Sequence, residues 1–550
     1  MNTLFLPSQK CLRSQLLVEL IAMCILFAVA MSVFGTSGVG LACGLGVAYV
    51  VPRWLYARLS GGETRGGIVL MVAGMLLVVW AFRNIYGWTL AEGQSFADPV
   101  LRCDDKGYYL WVLHYYDGSV PEPDTKFVGF PLMILLSWKL LGHSIVWPIA
   151  INVMLTLLTV VLTGQTAGRA LAGRVRADRG TITFLAMLVT SLLGFFMSHA
   201  AMLLKEPLTY FAVALAAYAI ARMKEIDDDS RGSVWHDIAL FTIAVALMSI
   251  ARTSVIYFLV AGVIITFFDN KDMWRYACTL LGIALIGMGL GIYWSNGFSM
   301  EVQMRILATT DTGGDMMKTI YQARGIYGEM MSDYFFLPVW QKLLLLPVTC
   351  TLQLFIPFPW VDNEVLDVWS VATRFQLVWY AVAGVSLYYL FVLAWKKKNL
   401  GWWAMWPFVC AAAVAFTTSG TVSRYILPYE PLFVTIAVWV LLKYHESTTP
   451  NEDDKQQKGA TPHKKNFRRS FILWCAAYAA TVTIILTIPP LIPYLCSFAF
   501  SNACIKLAGE VEIFWGKAGE CGKILITLQI KTFGPLPLLA FSHIRLFAGA

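Results

Sequence analysis

Residues 145–163 read IVWPIAINVMLTLLTVVLT, an apolar run without a single charged side chain. As a helix, a run of this length crosses a hydrocarbon core of about 30 Å. Similar runs recur along the whole chain of 550 residues, of which 58% are hydrophobic and only 14% are charged, with a mean hydropathy of +0.64. This composition excludes a disordered chain and an ordinary water-soluble globule, and it predicts an all-α polytopic membrane protein.

The placement of Lys and Arg predicts the orientation of these runs, because cytoplasmic loops are enriched in both. Lys10 and Arg13 precede the first run and would keep the N-terminus in the cytoplasm. The arginine-rich segment 169–179 follows the run 145–163 and would lie on the same side. The shorter run 127–141 contains a proline and a lysine, and counting it as a span would move segment 169–179 outside. We therefore predict that 127–141 is an interfacial or re-entrant helix.

With this orientation, we expect about 13 transmembrane helices, within a range of about 11–14. No cleavable signal peptide is expected, since the first run is long enough to remain as a span. The run 339–358 is either re-entrant or a further span. The predicted spans are approximately 16–34, 37–52, 66–83, 145–163, 181–200, 206–222, 236–250, 253–268, 276–294, 371–395, 402–417, 427–443 and 470–490.

The same pattern divides the chain into segments of different character. These are an N-terminal three-span segment (1–84), a large first extracytoplasmic loop with an interfacial helix (85–144), a central transmembrane bundle (145–294), a second extracytoplasmic segment (295–370), late transmembrane helices (371–443), a charged cytoplasmic linker (444–469), and a C-terminal span with a tail that the pattern does not place (470–550).

The first external loop contains the acidic pair Asp104-Asp105, followed by Tyr108 and, near its end, by Lys126. Two adjacent carboxylates repel each other, so at least one needs a cation or a neutral form. A carboxylate in this position can act as a general base on an acceptor hydroxyl or amine, or it can bind a metal ion. A solvated loop with scattered charges is the alternative for an isolated pair.

Further charged and aromatic candidates are predicted on the same side of the membrane. Glu206, next to Lys205, also has a purely structural explanation, because negative charge is favoured at a helix N-terminus. Arg252, between two short spans, either faces a cavity or extends its side chain to the interface. Arg424-Tyr425, before a late span, has the same two interpretations. Converging Arg, Lys and Tyr side chains would suit a phosphate or pyrophosphate, because guanidinium groups bind phosphate oxygens in pairs.

Other chemistries have no sequence signature. The chain has no Walker A motif and no GxGxxG unit, and its histidines and eleven cysteines lack zinc-site spacing. No metal site is therefore predicted, although the acidic pair leaves a divalent ion open as a cofactor. The net charge of +8 is modest for this length, and we expect membrane lipids rather than nucleic acid as partners.

The order of these motifs resembles the GT-C superfamily of polytopic membrane glycosyltransferases, in particular the protein O-mannosyltransferase and lipid A aminoarabinose transferase branch (glycosyltransferase family 39-like). The resemblance covers roughly residues 85–445. It is carried by DDKGYY at 104–109, YDG at 116–118, KFVGFPL at 126–132, Glu206-Pro207 and SRYILP at 423–428.

This resemblance implies a cell-envelope enzyme of the bacterial plasma membrane. It would move a sugar from a polyprenyl-phosphate donor to a lipid, glycan or protein acceptor outside, inverting the anomeric carbon. Two departures from the family pattern concern the acidic loop. We count three spans before it where the family usually has one, and the second acid is Asp105 where many members have Glu, so which carboxylate is the base stays open. The implied roles are catalysis by Asp104 and Asp105, donor-phosphate binding by Lys126, Arg252, Arg424 and Tyr425, and support from Tyr108, Lys205 and Glu206.

Two other functions fit a protein with a dozen spans. A Wzy-type polysaccharide polymerase or ligase would depend on loop arginines rather than on Asp104. A transporter or flippase for a lipid or polyol would favour an inverted repeat and helices broken at mid-membrane. We find no such repeat in the sequence.

Overall fold

The structure is a computed structural model, and it describes most of the chain as helices. It describes residues 9–60, 65–101, 103–120, 129–225, 231–267, 274–294, 337, 339–355, 376–394, 400–418, 423–448 and 462–487. No β-strand occurs within these ranges. Lys126, most of the predicted segment 295–370, the middle of the charged linker and the C-terminal tail lie outside the described residues.

The helices follow the apolar runs of the sequence. They are α1 Gln9–Phe34, α2 Ser37–Leu59, α3 Arg65–Trp88, α4 Cys103–Asp117, α5 Gly129–Leu141, α6 Val146–Leu171, α7 Arg179–Ser191, α8 Gly194–Ala200, α9 Glu206–Met223, α10 Arg231–Ala251, α11 Ser254–Phe267, α12 Trp274–Trp294, α13 Val339–Phe355, α14 Gln376–Tyr388, α15 Trp406–Thr418, α16 Glu430–Thr448 and α17 Pro462–Thr487, with single short turns at Ser423–Tyr425 and Leu427–Tyr429.

Eight helical segments of the described chain are long and apolar enough to cross a membrane, or nine if the bent pair α7–α8 forms one span. The predicted class, an all-helical membrane protein, is confirmed. The count of about 13 spans stays a prediction. The eight segments are Leu17–Phe34, Ser37–Leu59, Arg65–Glu92, Val146–Leu171, Val234–Ala251, Trp274–Tyr293, Gln376–Leu393 and Leu427–Thr448.

Helix α6 lies at the centre of the bundle and packs against α2, α7 and α9. Its 26 residues extend over about 39 Å, and most of its surface is buried. Its threonines are compatible with this burial, because Thr159 and Thr163 donate hydrogen bonds to carbonyls one turn back, each over 2.8 Å. In contrast, α1 leaves apolar side chains such as Leu20 and Ile25 exposed, as expected of a surface that faces lipid.

Charged side chains gather at the two ends of α6. Near its C-terminal end, Arg169 pairs with Glu225, and Arg222 Nε lies 2.8 Å from Asp237 Oδ1. The N-terminal part of α6 around Asn152 lies about 25 Å away, and the candidate site is found beside it. This separation is what a membrane requires, since ionic groups are costly within its core.

The predicted span 181–200 is not one straight helix. It consists of α7 and α8, which are bent by 73° at the break between them. The hydroxyls of Thr190 and Ser191, at the end of α7, donate to the carbonyls of Ala186 and Met187. Such bonds compete with the helix backbone and favour bending. The bend brings the chain after α8 into the protein interior, where residues 201–206 are buried.

Helix α5 is too short to span a membrane, with 13 residues and a length of about 20 Å. Its interfacial or re-entrant position stays a prediction. Its first residue, Gly129, approaches the end of α10 so closely that an added Cβ would lie 2.2 Å from the carbonyl oxygen of Ile250. Only glycine permits this approach. The contact holds α5 beside the α10–α11 break, which contains Arg252.

The Gly129→Ala variant is expected to lower the free energy of unfolding by about 1–3 kcal/mol, because the added methyl group collides with backbone that cannot move aside. Gly107→Ala is the matched control, since a Cβ at Gly107, within helix α4, meets no atom within 4 Å. Thermal unfolding in detergent checks this difference. Equal stability of the two variants would contradict the close packing of α5 on α10.

Candidate functional site

Four distant chain segments meet at the N-terminal end of α6. They are the start of α4, the segment before α9, the α10–α11 break and the turn Ser423–Tyr425. Arg424 joins three of them: its Nη1 donates a hydrogen bond to Asp104 Oδ2, its Nε lies 4.0 Å from Glu206 Oε1, and Tyr425 beside it carries Arg252 on its ring. We call the group the Asp104 cluster; it comprises Asp104, Asp105, Tyr108, Lys205, Glu206, Arg252, Arg424 and Tyr425.

Helix α4 separates the two carboxylates of the acidic pair. Consecutive residues project about 100° apart around a helix, so Asp104 and Asp105 cannot share one environment. The side chain of Asp104 is 48% exposed and meets Arg424, whereas residue Asp105 is only 5% exposed. Both also lie in the first turn of α4, where negative charge is favoured.

Asp105 accepts a hydrogen bond from the backbone N–H of Leu203. Burial, followed by the negative charges of Asp104 and Glu206, raises the pKa of Asp105 to about 8. The carboxyl group is therefore mostly protonated at neutral pH. The repulsion expected for the acidic pair is thus relieved in two ways, by a cation at Asp104 and by a proton at Asp105.

The stability of the protein is expected to fall as the pH rises from about 5 to about 8. Folding raises the pKa of Asp105 from about 4, so in this interval the folded state holds a proton that the unfolded state has lost. The decline reaches up to about 1.4 kcal/mol per pH unit. Asp105→Asn, which has no proton to lose, should show a smaller decline when unfolding temperatures are measured across this range. The same pH dependence in both proteins would contradict the buried, protonated state.

Glu206 begins α9, with Pro207 behind it in the first turn. Its side chain is 3% exposed and faces Arg424. Glu206 therefore both begins a helix, where negative charge is favoured, and belongs to the cluster. The neighbouring Lys205 is also buried. Burial, followed by the positive charge of Arg252, lowers the pKa of Lys205 well below its usual range. Such a lysine would gain from a bound anion.

Arg252 faces the cluster rather than lipid. It lies between α10 and α11, is 8% exposed, and its guanidinium carbon lies 3.7 Å from the ring centroid of Tyr425. Stacking on an aromatic face stabilises a guanidinium group. Tyr108 is buried nearby, packs edge-on against Phe130 and interacts electrostatically with Glu206 and Asp104.

Eight of the nine residues proposed from the sequence therefore lie together, and the ninth, Lys126, is outside the described residues. Their roles stay predictions. Two further side chains, which were not proposed from the sequence, extend the cluster. Tyr210, one helical turn after Glu206, is fully buried and interacts electrostatically with both Glu206 and Glu430. Glu430-Pro431 at the start of α16 repeats the Glu206-Pro207 pattern, and this repetition is a signal that the sequence contained.

Within the described residues, no three His, Cys, Asp or Glu side chains are close enough together to hold a metal ion. At the cluster, the carboxylate of Asp104 instead has a guanidinium partner. The arrangement offers one exposed carboxylate beside several cations, which is a combination that can accept a proton and bind a negatively charged group.

The fold and the cluster define a polytopic helical membrane protein with a mixed-charge site at one end of its bundle. No protein-family model, curated protein or solved structure matches this chain.

Proposed function

We propose that this protein is an inverting membrane glycosyltransferase that moves a hexose or pentose from a polyprenyl-phosphate donor to a lipid, glycan or protein acceptor on the extracytoplasmic side. In this proposal the N-terminus lies on the cytoplasmic side of a bacterial plasma membrane. The observation that carries the proposal is the convergence of Asp104 with Arg424, Glu206 and Arg252 from four separate parts of the chain. A base beside clustered cations is what this reaction needs.

The reaction forms a bond between the acceptor oxygen or nitrogen and the anomeric carbon of the sugar. The acceptor proton goes to Asp104, and the bond between the anomeric carbon and the phosphate oxygen breaks. Its electrons remain on the polyprenyl phosphate, whose growing negative charge is stabilised by Arg252, Arg424 and Lys205. Since Arg424 pairs with Asp104 in the structure, a phosphate that engages Arg424 would release the carboxylate to act as a base.

The test uses the purified full-length protein in lipid nanodiscs with polyprenyl-phospho-sugars labelled in the sugar. Detergent-extracted envelope lipids and glycans serve as acceptors. We expect release of polyprenyl phosphate coupled to labelling of the acceptor, with the opposite anomeric configuration. Release no faster than in protein-free nanodiscs, with both hexose and pentose donors, would contradict the proposal.

A carrier for a lipid-linked sugar is the second candidate, because the bent pair α7–α8 and the α10–α11 break beside Arg252 are features of membrane carriers. The same donor placed in one leaflet of a sealed vesicle distinguishes the two. Movement of intact donor between leaflets, without release of polyprenyl phosphate, would favour the carrier. A Wzy-type polymerase or ligase would retain activity after loss of the Asp104 carboxylate.

A further inference from the structure

The segment 201–204 connects α8 to α9 and is buried, although it is not helical. Such a segment must satisfy its backbone polar groups within the protein, because each buried group left without a partner is costly. The N–H groups of Ala201 and Met202 bond to carbonyls of α8, over 3.2 Å each. Four further backbone groups of the segment bond to side chains of three other helices.

Two asparagines supply most of these partners. Asn152 of α6 donates from Nδ2 to the carbonyl oxygen of Met202 over 2.7 Å and to that of Leu204 over 3.0 Å. Asn84 of α3 donates to the carbonyl oxygen of Ala201 over 2.9 Å. Both asparagines are buried within helices that are long enough to cross a membrane. Burying an amide at this position costs free energy unless the amide is hydrogen-bonded.

The next two residues along the chain are Lys205 and Glu206, both members of the Asp104 cluster. Leu204 is the last residue before them, and its carbonyl is held by Asn152. A shift in this carbonyl therefore moves Lys205 and Glu206 directly. On the other side of the segment, the N–H of Leu203 is held by Asp105.

We propose that Asn152, assisted by Asn84, is a positioning residue that holds segment 201–204 so that Lys205 and Glu206 face the donor phosphate site. The kinetic part of this inference rests on the proposed function, whereas the structural part does not. By the same geometry, Asp105 is a positioning residue at this segment, and Asp104 is the carboxylate that reaches the acceptor.

The test compares Asn152→Leu, which keeps the branched shape and the number of side-chain heavy atoms but removes both hydrogen bonds, with Thr159→Val. Thr159 lies on the same helix and is equally buried, but its hydroxyl bonds only within α6. Hydrogen exchange of the backbone amides of residues 202–206 is measured by mass spectrometry in nanodiscs. We expect exchange on the order of tenfold faster in Asn152→Leu than in Thr159→Val.

Transfer kinetics provide the second measurement. Misplacement of a binding group by about 1 Å can cost on the order of 10²-fold in rate. Asn152→Leu should therefore lower kcat/KM for the donor by about this factor and leave the KM for the acceptor unchanged. Asn84→Leu releases only the carbonyl of Ala201, which is farther from Lys205, and should show a smaller change in the same direction.

The possible outcomes separate this inference from the proposed function. Unchanged amide exchange in both asparagine variants would overturn the positioning role whatever the enzyme does. Faster exchange with unchanged donor kinetics in an active enzyme would also overturn it. Faster exchange in a protein whose wild type transfers no sugar would contradict the proposed function and retain the anchoring by Asn152. If Asn152→Leu does not fold, Asn84→Leu provides the same comparison.

Discussion

Asp104→Asn is expected to lower the rate of sugar transfer by about 10²–10⁴-fold, which is the contribution typical of a general base. Asparagine keeps the shape of the side chain and an oxygen that can accept the hydrogen bond from Arg424, but it cannot take a proton. Affinity for the polyprenyl-phosphate donor should therefore be retained. Release of polyprenyl phosphate and binding of the donor are the two measurements.

Asp117→Asn is the matched control for this variant. Asp117 ends the same helix, α4, and its carboxylate accepts a hydrogen bond from the N–H of Ser119 over 2.9 Å. It has no contact with Arg424 among the described residues. We expect nearly wild-type transfer from Asp117→Asn. Unchanged turnover in Asp104→Asn would contradict the assignment of the base.

The two carboxylates of the acidic pair also make a comparison. Asp105→Asn replaces a carboxyl group that is largely protonated near neutral pH, and the amide oxygen can still accept the hydrogen bond from Leu203. Its effect on transfer at pH 7 should be much smaller than that of Asp104→Asn. A greater loss of transfer in Asp105→Asn than in Asp104→Asn would mean that the base is Asp105 and that our assignment to Asp104 is wrong.

The helices and the membership of the cluster could be predicted because charge is scarce in this chain. The run 145–163 became the core of α6, which continues for about two further turns at its polar end, where the hydropathy falls before the helix ends. Asp104 and Arg424 are far apart in sequence, yet both were proposed for one site, since the predicted topology puts both on the same side of the membrane.

Other features depend on tertiary contacts that hydropathy does not report. The bend between α7 and α8 falls inside an apolar run, because Leu192 and Leu193 are as apolar as the helices they separate. The opposite environments of Asp104 and Asp105 arise from the packing of α4 against its neighbours. In the sequence, Asn152 is one of several polar residues in a span. Its role depends on the carbonyls of segment 201–204, which are about 50 residues away along the chain.

Arg424→Gln should have the second large effect, on both stability and transfer. Arg424 is 29% exposed, but Glu206 is 3% exposed and would keep a negative charge in a buried position after losing this cation. Removing one partner of a fully buried ion pair costs about 3–5 kcal/mol. At a separation of 4.0 Å with a partly exposed arginine, we expect the lower part of that range or somewhat less. Thermal unfolding in detergent measures this change.

The double variant Arg424→Gln/Glu206→Gln separates the two roles of Arg424. Removing the charge of Glu206 as well should restore much of the lost stability, because no uncompensated buried carboxylate remains at this position. Transfer should not recover, since the guanidinium group that would bind the donor phosphate is still absent. If the double variant is no more stable than Arg424→Gln, the charge of Glu206 is not what Arg424 compensates.

Arg424→Lys completes the comparison, because it keeps the positive charge and loses the planar fork of N–H groups. A lysine ammonium group can face Glu206 or Asp104. It lacks the planar set of N–H donors with which a guanidinium group can contact both carboxylates and a phosphate at once. We therefore expect stability close to that of the wild type and transfer between that of the wild type and Arg424→Gln. Full transfer by Arg424→Lys would mean that charge alone is sufficient, and that the phosphate is held by Arg252 and Lys205.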